Sequence, residues 1–523
     1  MLDGRKKGQR GNIMLAKIQT LALKGIDGYF VSAEVFIASG LPSYNVVGLP
    51  DAAVKEARDR VMAAMRMSGF KVPPKRITVN LAPAEKKKTG THFDLPIAIG
   101  LLSASENIGA ESAEKIKNTV FLGELALDGS IRPVAGILPM LMALHGSSFQ
   151  AIVPSGNAAE AAVSGMPCFQ ADSLEQVISW LNGSGELIPC GRKPFSAVKD
   201  SSLDFADVKG QLFAKRAMEI AAAGFHNILL IGPPGSGKSM LARRFGGLLP
   251  PMTESEALET TKLYSVNGLV KPGSLIGSRP FREPHHTISD AALIGGGTNP
   301  HPGEVSLAHN GVLFLDEFPE FSRAAIESLR EPLESWKVTV SRVRESVAYP
   351  ARFLLVAAMN PCPCGYLGHP ARECSCTPLQ VGRYRSRLSG PILDRIDIHV
   401  RLAPMRYEDW QAAANGEKTE QIAARVLKAI EIQHKRYGGS GASASNAFMS
   451  AKDMRRYCSL PEGASSVLEA AMNRLGFSAR SLDKIMKVAR TIADLTASEE
   501  IKREHIMEAV QYRIMDKSDY GGF

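Results

Sequence analysis

The stretch Gly232–Ser239, "GPPGSGKS", has the residue types and spacing needed to hold phosphate. A loop of the form G-x-x-x-x-G-K-S makes a cradle from Gly232, Pro233, Pro234, Gly235, Ser236 and Gly237, in which the amides of the non-proline residues face phosphate oxygens. Lys238 then reaches the β- and γ-phosphates and Ser239 can hold Mg²⁺. The apolar run Asn227–Ile231 before it and the amphipathic run after it supply the strand and helix that such a loop requires, which weighs against a plain glycine turn. A second apolar run, "GVLFLDEF", delivers Asp316 and Glu317 to a strand's carboxyl end. Asp316 is placed to hold the same Mg²⁺ and Glu317 to polarise an attacking water, the two demands of phosphoryl transfer to water.

Other residues invite chemistry less directly. "NPCPCGYLGHPARECSC" holds four of the seven cysteines, Cys362, Cys364, Cys374 and Cys376, as C-x-C-x₉-C-x-C. Four soft thiolates on a short loop suit tetrahedral Zn²⁺, although one intervening residue strains each pair's bite more than two would. Pro361 and Pro363 help by fixing the backbone. Ordinary reduced cysteines are the alternative, and a redox switch comes third. Cys168, Cys190 and Cys458 are scattered and read as inert. His285 and His286 are adjacent, so their side chains are expected to point apart, which disfavours a shared ion. "WKVTVSRVRESVAYPAR" alternates on Val338, Val340, Val347 and Tyr349 and reads as a β-hairpin with a charged tip. "GRYRSRLSG" (Arg383, Arg385, Arg387) is a second basic run.

The elements that must position these groups follow from the wider chain. At 523 residues it exceeds one core, and its 45% hydrophobic and 22% charged content is that of a soluble globular protein. No apolar run reaches eighteen residues and no apolar segment follows the basic start, so neither a membrane span nor a signal peptide is expected. Seven cysteines in such a chain fit a reducing cytoplasm. The net charge is +9; residues 1–13 carry four Lys/Arg against one Asp and read as a disordered extension or alternative start, and without them the excess is +6. That suits a polyanionic partner without requiring one. Residues 14–181 alternate β-rich and helical runs, an α+β domain. Residues 182–202 are Gly/Ser/Pro-rich and read as a linker. Residues 203–404 have the strand–turn–helix rhythm of a doubly wound α/β sheet. Residues 405–515 read as helical, and 516–523 as a tail.

Several segments together resemble the AAA+ ATPases: "DFADVKGQ", the phosphate loop, "LFLDE", the strand ending at Asn360, "SGPILDRIDI" and "SARSLDKIMKVARTIADL". The run from Arg282 to Glu317, "REPHHTISDAALIGGGTNPHPGEVSLAHNGVLFLDE", is similar to the Mg chelatase-like ComM/YifB family in particular. The resemblance implies an ATP- and Mg²⁺-dependent ATPase, with Val208 and Gly210 lining the nucleotide and Asn360 orienting the water as a sensor. It further implies Arg395 as an arginine finger acting on a neighbouring subunit, with an intrasubunit ion pair to Asp394 or Asp397 as the alternative, and Arg480 as a second sensor from a helical lid. An arginine used in trans needs an oligomer, and proteins of this type form hexameric rings. By similarity to the hairpins of MCM-type helicases, Lys337, Arg342 and Arg344 would meet DNA phosphates, single-stranded or branched, without sequence preference. "GRYRSRLSG", beside the finger, then reads as an interface.

"VFLGELALDGSIRPVAGILPMLMAL" and "KTGTHFDLPIAIGLLSA" resemble the Lon proteolytic domain, of the ribosomal S5 domain 2-like fold. Asp94 or a neighbour stands where that family has its serine, and Leu138 or Pro139 where it has its lysine, so no protease is expected. The resemblance implies a hexameric DNA motor, a helicase or branch-migration factor for incoming DNA. A magnesium-chelatase-type remodelling ATPase is the runner-up, weakened by a Lon-like domain where chelatase ATPases are expected to begin at the AAA+ block.

Overall fold

The computed structural model describes residues 14–109, 112–191, 194–198, 203–270, 275–297, 300–342, 345–404, 416–475 and 477–513, with backbone only for 14, 342, 345, 442 and 475. The chain forms two compact units. One takes the chain to Phe195 together with Thr261–Ile276, and the other takes Ser196–Thr260 and everything from Gly277. Among the described residues no helix is long and apolar enough to cross a membrane.

The first unit is built on a mixed eight-stranded sheet. Its order is Ile188–Pro189, Cys168–Ala171, Gln150–Pro154, Thr119–Phe121, Met14–Lys24, Asp27–Ala38, Arg76–Ala82, Ser43–Val47. The two long strands form a hairpin in which Lys24 faces Asp27, and Gly25 supplies the positive φ of +63° that the tight turn demands. Strict alternation in Asp27–Ala38 turns Val31, Ala33, Val35 and Ile37 inward. Against them lies the helix Asp94–Ala104, apolar all round and almost wholly buried. Its Gly100 allows this closeness: a Cβ there would come within 2.5 Å of Val35 Cγ2. The helix Ala52–Met67, capped by the Asp51 carboxylate on the Val54 amide, covers the buried helix in turn. Within the stretch expected as a linker, Ile188–Pro189 adds a short strand to this sheet. Two bonds of Ser265 tie the described part of the Thr261–Ile276 segment into the unit. The Gly136 amide donates to the Ser265 carbonyl (2.9 Å), and the Ser265 hydroxyl donates to buried Glu160 (2.5 Å).

The second unit carries a five-stranded, all-parallel sheet in the order Phe281–Arg282, Val312–Leu315, Leu354–Met359, Ile228–Ile231, Ile398–Arg401. The three central strands are buried at every position, as a sheet covered on both faces requires. The strand Ile228–Ile231 lies between two strands that are both remote in sequence. It is therefore the topological switch point, where a crevice opens at the carboxyl edge. Asn227, just before it, ties three strand starts together: its amide donates to Asp397 Oδ2 (2.8 Å), its Oδ1 accepts from the Leu355 amide (2.9 Å), and its Nδ2 donates to the Arg395 carbonyl (3.2 Å). The helices Thr419–Tyr437, Ala451–Tyr457, Glu462–Leu475, Ala479–Leu495 and Arg503–Gln511 follow. Ile422, Val426, Ile485, Val488, Ile492 and Ile506 join one core with the sheet strands. The strands Lys337–Arg342 and Glu345–Pro350 pair antiparallel, with Val338, Val340, Val347 and Tyr349 buried on one face.

Candidate nucleotide-hydrolysis site

Three of the five strand ends build one cluster of polar groups. The loop after Ile231 turns through Gly235 (φ +75°) and Gly237 (φ +91°), and a Cβ on either would meet nothing. Glycine is needed there for the backbone conformation, and the space it leaves is open. Lys238 Nζ donates to the carbonyls of Gly232 (2.8 Å) and Pro233 (3.0 Å) and to Asn360 Oδ1 (3.2 Å). Burial pushes its amine below the ordinary lysine value, against the pull of Asp316 and Glu317. Ser239 Oγ donates to Asp316 Oδ2 (2.6 Å), while Asp316 Oδ1 accepts from the Glu317 amide (2.9 Å). Ser236 Oγ is buried with no partner of its own. A buried hydroxyl without a partner, an ammonium parked on carbonyls and a hydroxyl–carboxylate pair are the donor set that a triphosphate with Mg²⁺ would take up.

Val208 is buried and Gly210 has a φ of +62°, next to Gln211. Gln211 was not singled out from the sequence. Its Nε2 donates to the carbonyls of Ser236 (3.3 Å) and Ala403 (2.7 Å), so it fastens the phosphate loop to the end of the edge strand. His286 was weighed from the sequence only as a metal ligand. Its Nδ1 lies 3.2 Å from Glu317 Oε2, and Glu317 itself has a φ of +51°, an uncommon conformation for a non-glycine residue. The expectation that His285 and His286 point apart, on a strand or a loop alike, is corrected: in this loop their rings lie against each other, with centroids 4.2 Å apart.

The arginines sit differently. Arg395 is nearly buried and paired with Glu334 (2.5 Å), and it donates to the Pro391 carbonyl (2.6 Å). Its intrasubunit partner is therefore neither Asp394 nor Asp397. Asp397 instead meets Lys484 Nζ (2.6 Å). Arg480 is exposed in the first turn of Ala479–Leu495. Arg387 pairs with Glu320 (2.5 Å), and Arg385 Nε donates to the Pro361 carbonyl (3.4 Å). Lys337 is exposed at the start of the hairpin. Arg344 and the side chain of Arg342 lie outside the described residues.

The four cysteines come together. Cys362 Sγ is 3.4 Å from Cys364 Sγ and 3.6 Å from Cys374 Sγ, and ligand atoms of all four lie within 4.8 Å of one another. Tetrahedral thiolates at about 2.3 Å from a zinc ion stand roughly 3.8 Å apart, so the donor set fits that ion. The C-x-C pairs achieve this without two-residue spacers because amides brace the sulfurs: Leu367 donates to Cys362 Sγ (3.3 Å) and Cys364 to Cys376 Sγ (3.4 Å). The Tyr366 amide holds the Cys364 thiol down to about 5. Cys168, Cys190 and Cys458 contrast with it, each thiol pushed up by burial, Cys190 and Cys458 to about 11.

In the first unit, Asp94 is fully buried and clamped by Arg60, Nε to Oδ2 at 2.6 Å and Nη2 to Oδ1 at 2.9 Å. Leu138 and Pro139 are buried, and the Leu138 amide donates to Glu160. These positions carry packing and an internal ion pair.

Comparison with known proteins agrees in extent as well as in motif. The family described as "Magnesium chelatase, subunit ChlI" matches residues 204–410, "Subunit ChlI of Mg-chelatase" matches 33–157, and "Magnesium chelatase, subunit ChlI C-terminal" matches 416–513. The first unit therefore does not set the chain apart from chelatase subunits, contrary to the expectation from sequence. Competence protein ComM of Haemophilus influenzae is 46% identical over 96% of this chain and 98% of its own. YifB of Salmonella typhimurium is 44% identical over 96% and 98%. The magnesium-chelatase 67 kDa subunit of Chlorobaculum tepidum is 29% identical over only 30% of this chain and 23% of its own. The chain belongs to the ComM/YifB family, with Mg chelatase-like N-terminal, AAA-type and C-terminal domains.

Proposed function

We propose that this protein is an ATP-hydrolysing, hexameric DNA motor of the cytoplasm, a helicase or branch-migration factor acting on incoming DNA. The observation that carries the ATPase part is the convergence of Lys238, Ser239, Asp316, Glu317 and Asn360 at the switch point of a parallel sheet. Lys238 leaves its carbonyls to neutralise β/γ-phosphate oxygens. Ser239 and Asp316 hold Mg²⁺, which supplies charge neutralisation when bound. Glu317 orients and deprotonates the water, and Asn360 fixes its position. Arg395, released from Glu334, stabilises the transition state in a neighbouring subunit's site, and Arg480 reaches its nucleotide from a helical lid. Lys337, Arg342 and Arg344 contact DNA phosphates from the hairpin, and the first unit serves ring assembly or DNA engagement as a Lon-like fold without its dyad. The DNA role is supported by near full-length similarity to a protein named for competence. The four cysteines hold a structural zinc ion.

A chelatase-type remodelling ATPase working on a protein partner is the second reading, favoured by the three ChlI matches. The two separate in one measurement, ATP hydrolysis with and without single-stranded and branched DNA. Stimulation together with unwinding supports the motor; an unchanged rate and no DNA binding at low salt sink it.

A further inference from the structure

We propose that the four-cysteine loop is a positioning device for the ATP site. Loaded with one zinc ion, it seats Gly365 against Pro234 and so holds the phosphate loop and Asn360 in the geometry that binds nucleotide. The inference rests on the ATPase reading of the same site.

Gly365 and Asn360 link the cluster to that site. Asn360, two residues before Cys362, accepts from Lys238. Between Cys362 and Cys364 and the more distal cysteines the chain doubles back in a turn, with the Gly365 amide donating to the Cys362 carbonyl (3.0 Å). Gly365 has a φ of +85°, and its backbone lies so close to the phosphate loop that a Cβ would come within 2.6 Å of Pro234 Cδ and 2.8 Å of Pro234 Cγ. The same Cβ would stand 3.8 Å from Asn360 Cγ. The cysteine turn thus forms one wall behind the phosphate loop, and only glycine fits it.

A zinc ion is what keeps that wall closed. Four thiols this close repel one another once ionised, and a divalent cation converts the repulsion into four bonds. Without the ion the turn is held by local bonds, the His369 amide to the Tyr366 carbonyl (3.0 Å), the Arg372 guanidinium to the Tyr366 hydroxyl (2.7 Å) and Arg385 Nε to the Pro361 carbonyl (3.4 Å). Cys362 is buried, but Cys364, Cys374 and Cys376 are partly exposed, and the intervening residues 368–373 are largely so. Loss of zinc frees Gly365 to withdraw, and Pro234 and Asn360 lose their support together.

Gly368 makes the test specific. It lies in the same loop with a similar φ of +73°, yet a Cβ there would meet nothing within 4 Å. Wild type, Gly365→Ala, Gly368→Ala and the double variant Cys374→Ser/Cys376→Ser are compared for zinc per chain by elemental analysis, for affinity to a fluorescent ATP analogue, and for fold by circular dichroism. Wild type and both glycine variants should hold about one zinc ion per chain and the cysteine variant far less. Gly365→Ala and the cysteine variant should bind the analogue on the order of tenfold more weakly, and Gly368→Ala as wild type does. Wild-type affinity in Gly365→Ala, equal weakening in both glycine variants, or zinc-free wild type would each overturn the positioning role while leaving the ATPase reading intact. Failure of the wild type itself to bind ATP would strike the ATPase reading first.

Discussion

At the residue scale, the polar groups at the strand ends divide into those that bind and those that would act. Lys238 sits on carbonyls that phosphate oxygens can replace, so Lys238→Ala should abolish nucleotide binding and turnover together. The Glu317 carboxylate pairs with His286 Nδ1 (3.2 Å), whereas Lys238 and Ser239 of the phosphate loop bond to Asn360 and Asp316. Glu317→Gln should therefore keep ATP binding while lowering turnover on the order of 10²–10³-fold, read by analogue fluorescence and phosphate release in parallel. Equal loss of both in Glu317→Gln would move that residue to the binding set. The groups of this centre that sequence could show are those carried by local spacing, Gly232–Ser239 and the Asp316–Glu317 pair. Those it hid are set by loops folding back: Gln211 reaching Ser236 and Ala403, and His286 reaching Glu317.

At the scale of elements, the hairpin was legible because its alternation has a period of two, and its buried face carries the four expected side chains. Its charges lend themselves to a salt experiment. Replacing Lys337, Arg342 and Arg344 with alanine should weaken DNA binding alike for all sequences and flatten the dependence of log K on log salt by roughly one for each phosphate no longer neutralised. An unchanged slope would take the hairpin off the DNA. The junction between sheet and C-terminal helices makes a different prediction. His226 is buried on Thr491 Oγ1 (2.7 Å), and burial pushes its imidazole down to about 4. In the unfolded chain it titrates near 6.5, so there the unfolded state binds the extra proton. Its contribution of about 3 kcal/mol is full above 6.5 and is lost as pH falls toward 4. His226→Gln should flatten the decline of thermal stability between those values, and a decline as steep as wild type would show that other groups cause it. Nothing local marks His226 in the sequence, because its burial depends on a helix from the far end of the chain.

At the scale of the whole molecule, Arg395 decides whether the site is complete in one chain. In a single protomer it is engaged by Glu334, a partner no spacing rule could indicate. If it serves a neighbour, Arg395→Ala and Lys238→Ala proteins, each inactive, should regain hydrolysis when mixed, because an intact loop then faces an intact arginine. Assembled mixtures without recovered activity would place Arg395 in its own subunit's chemistry. The expected domain order was read from composition, since β-rich, Gly/Ser/Pro-rich and helical stretches differ plainly. The return of Thr261–Ile276 to the first unit was not, because it lies between the phosphate-loop helix and the second sheet strand. That return has a consequence for biosynthesis. A ribosome making this chain must finish the phosphate loop before the first unit has all its parts, and until then Glu160 has the Leu138 amide and Asn157 Nδ2 as donors but not the Ser265 hydroxyl. The leading unit therefore reaches its full set of bonds only during translation of the second, and a fragment cut near Phe195 leaves Glu160 without the Ser265 donor.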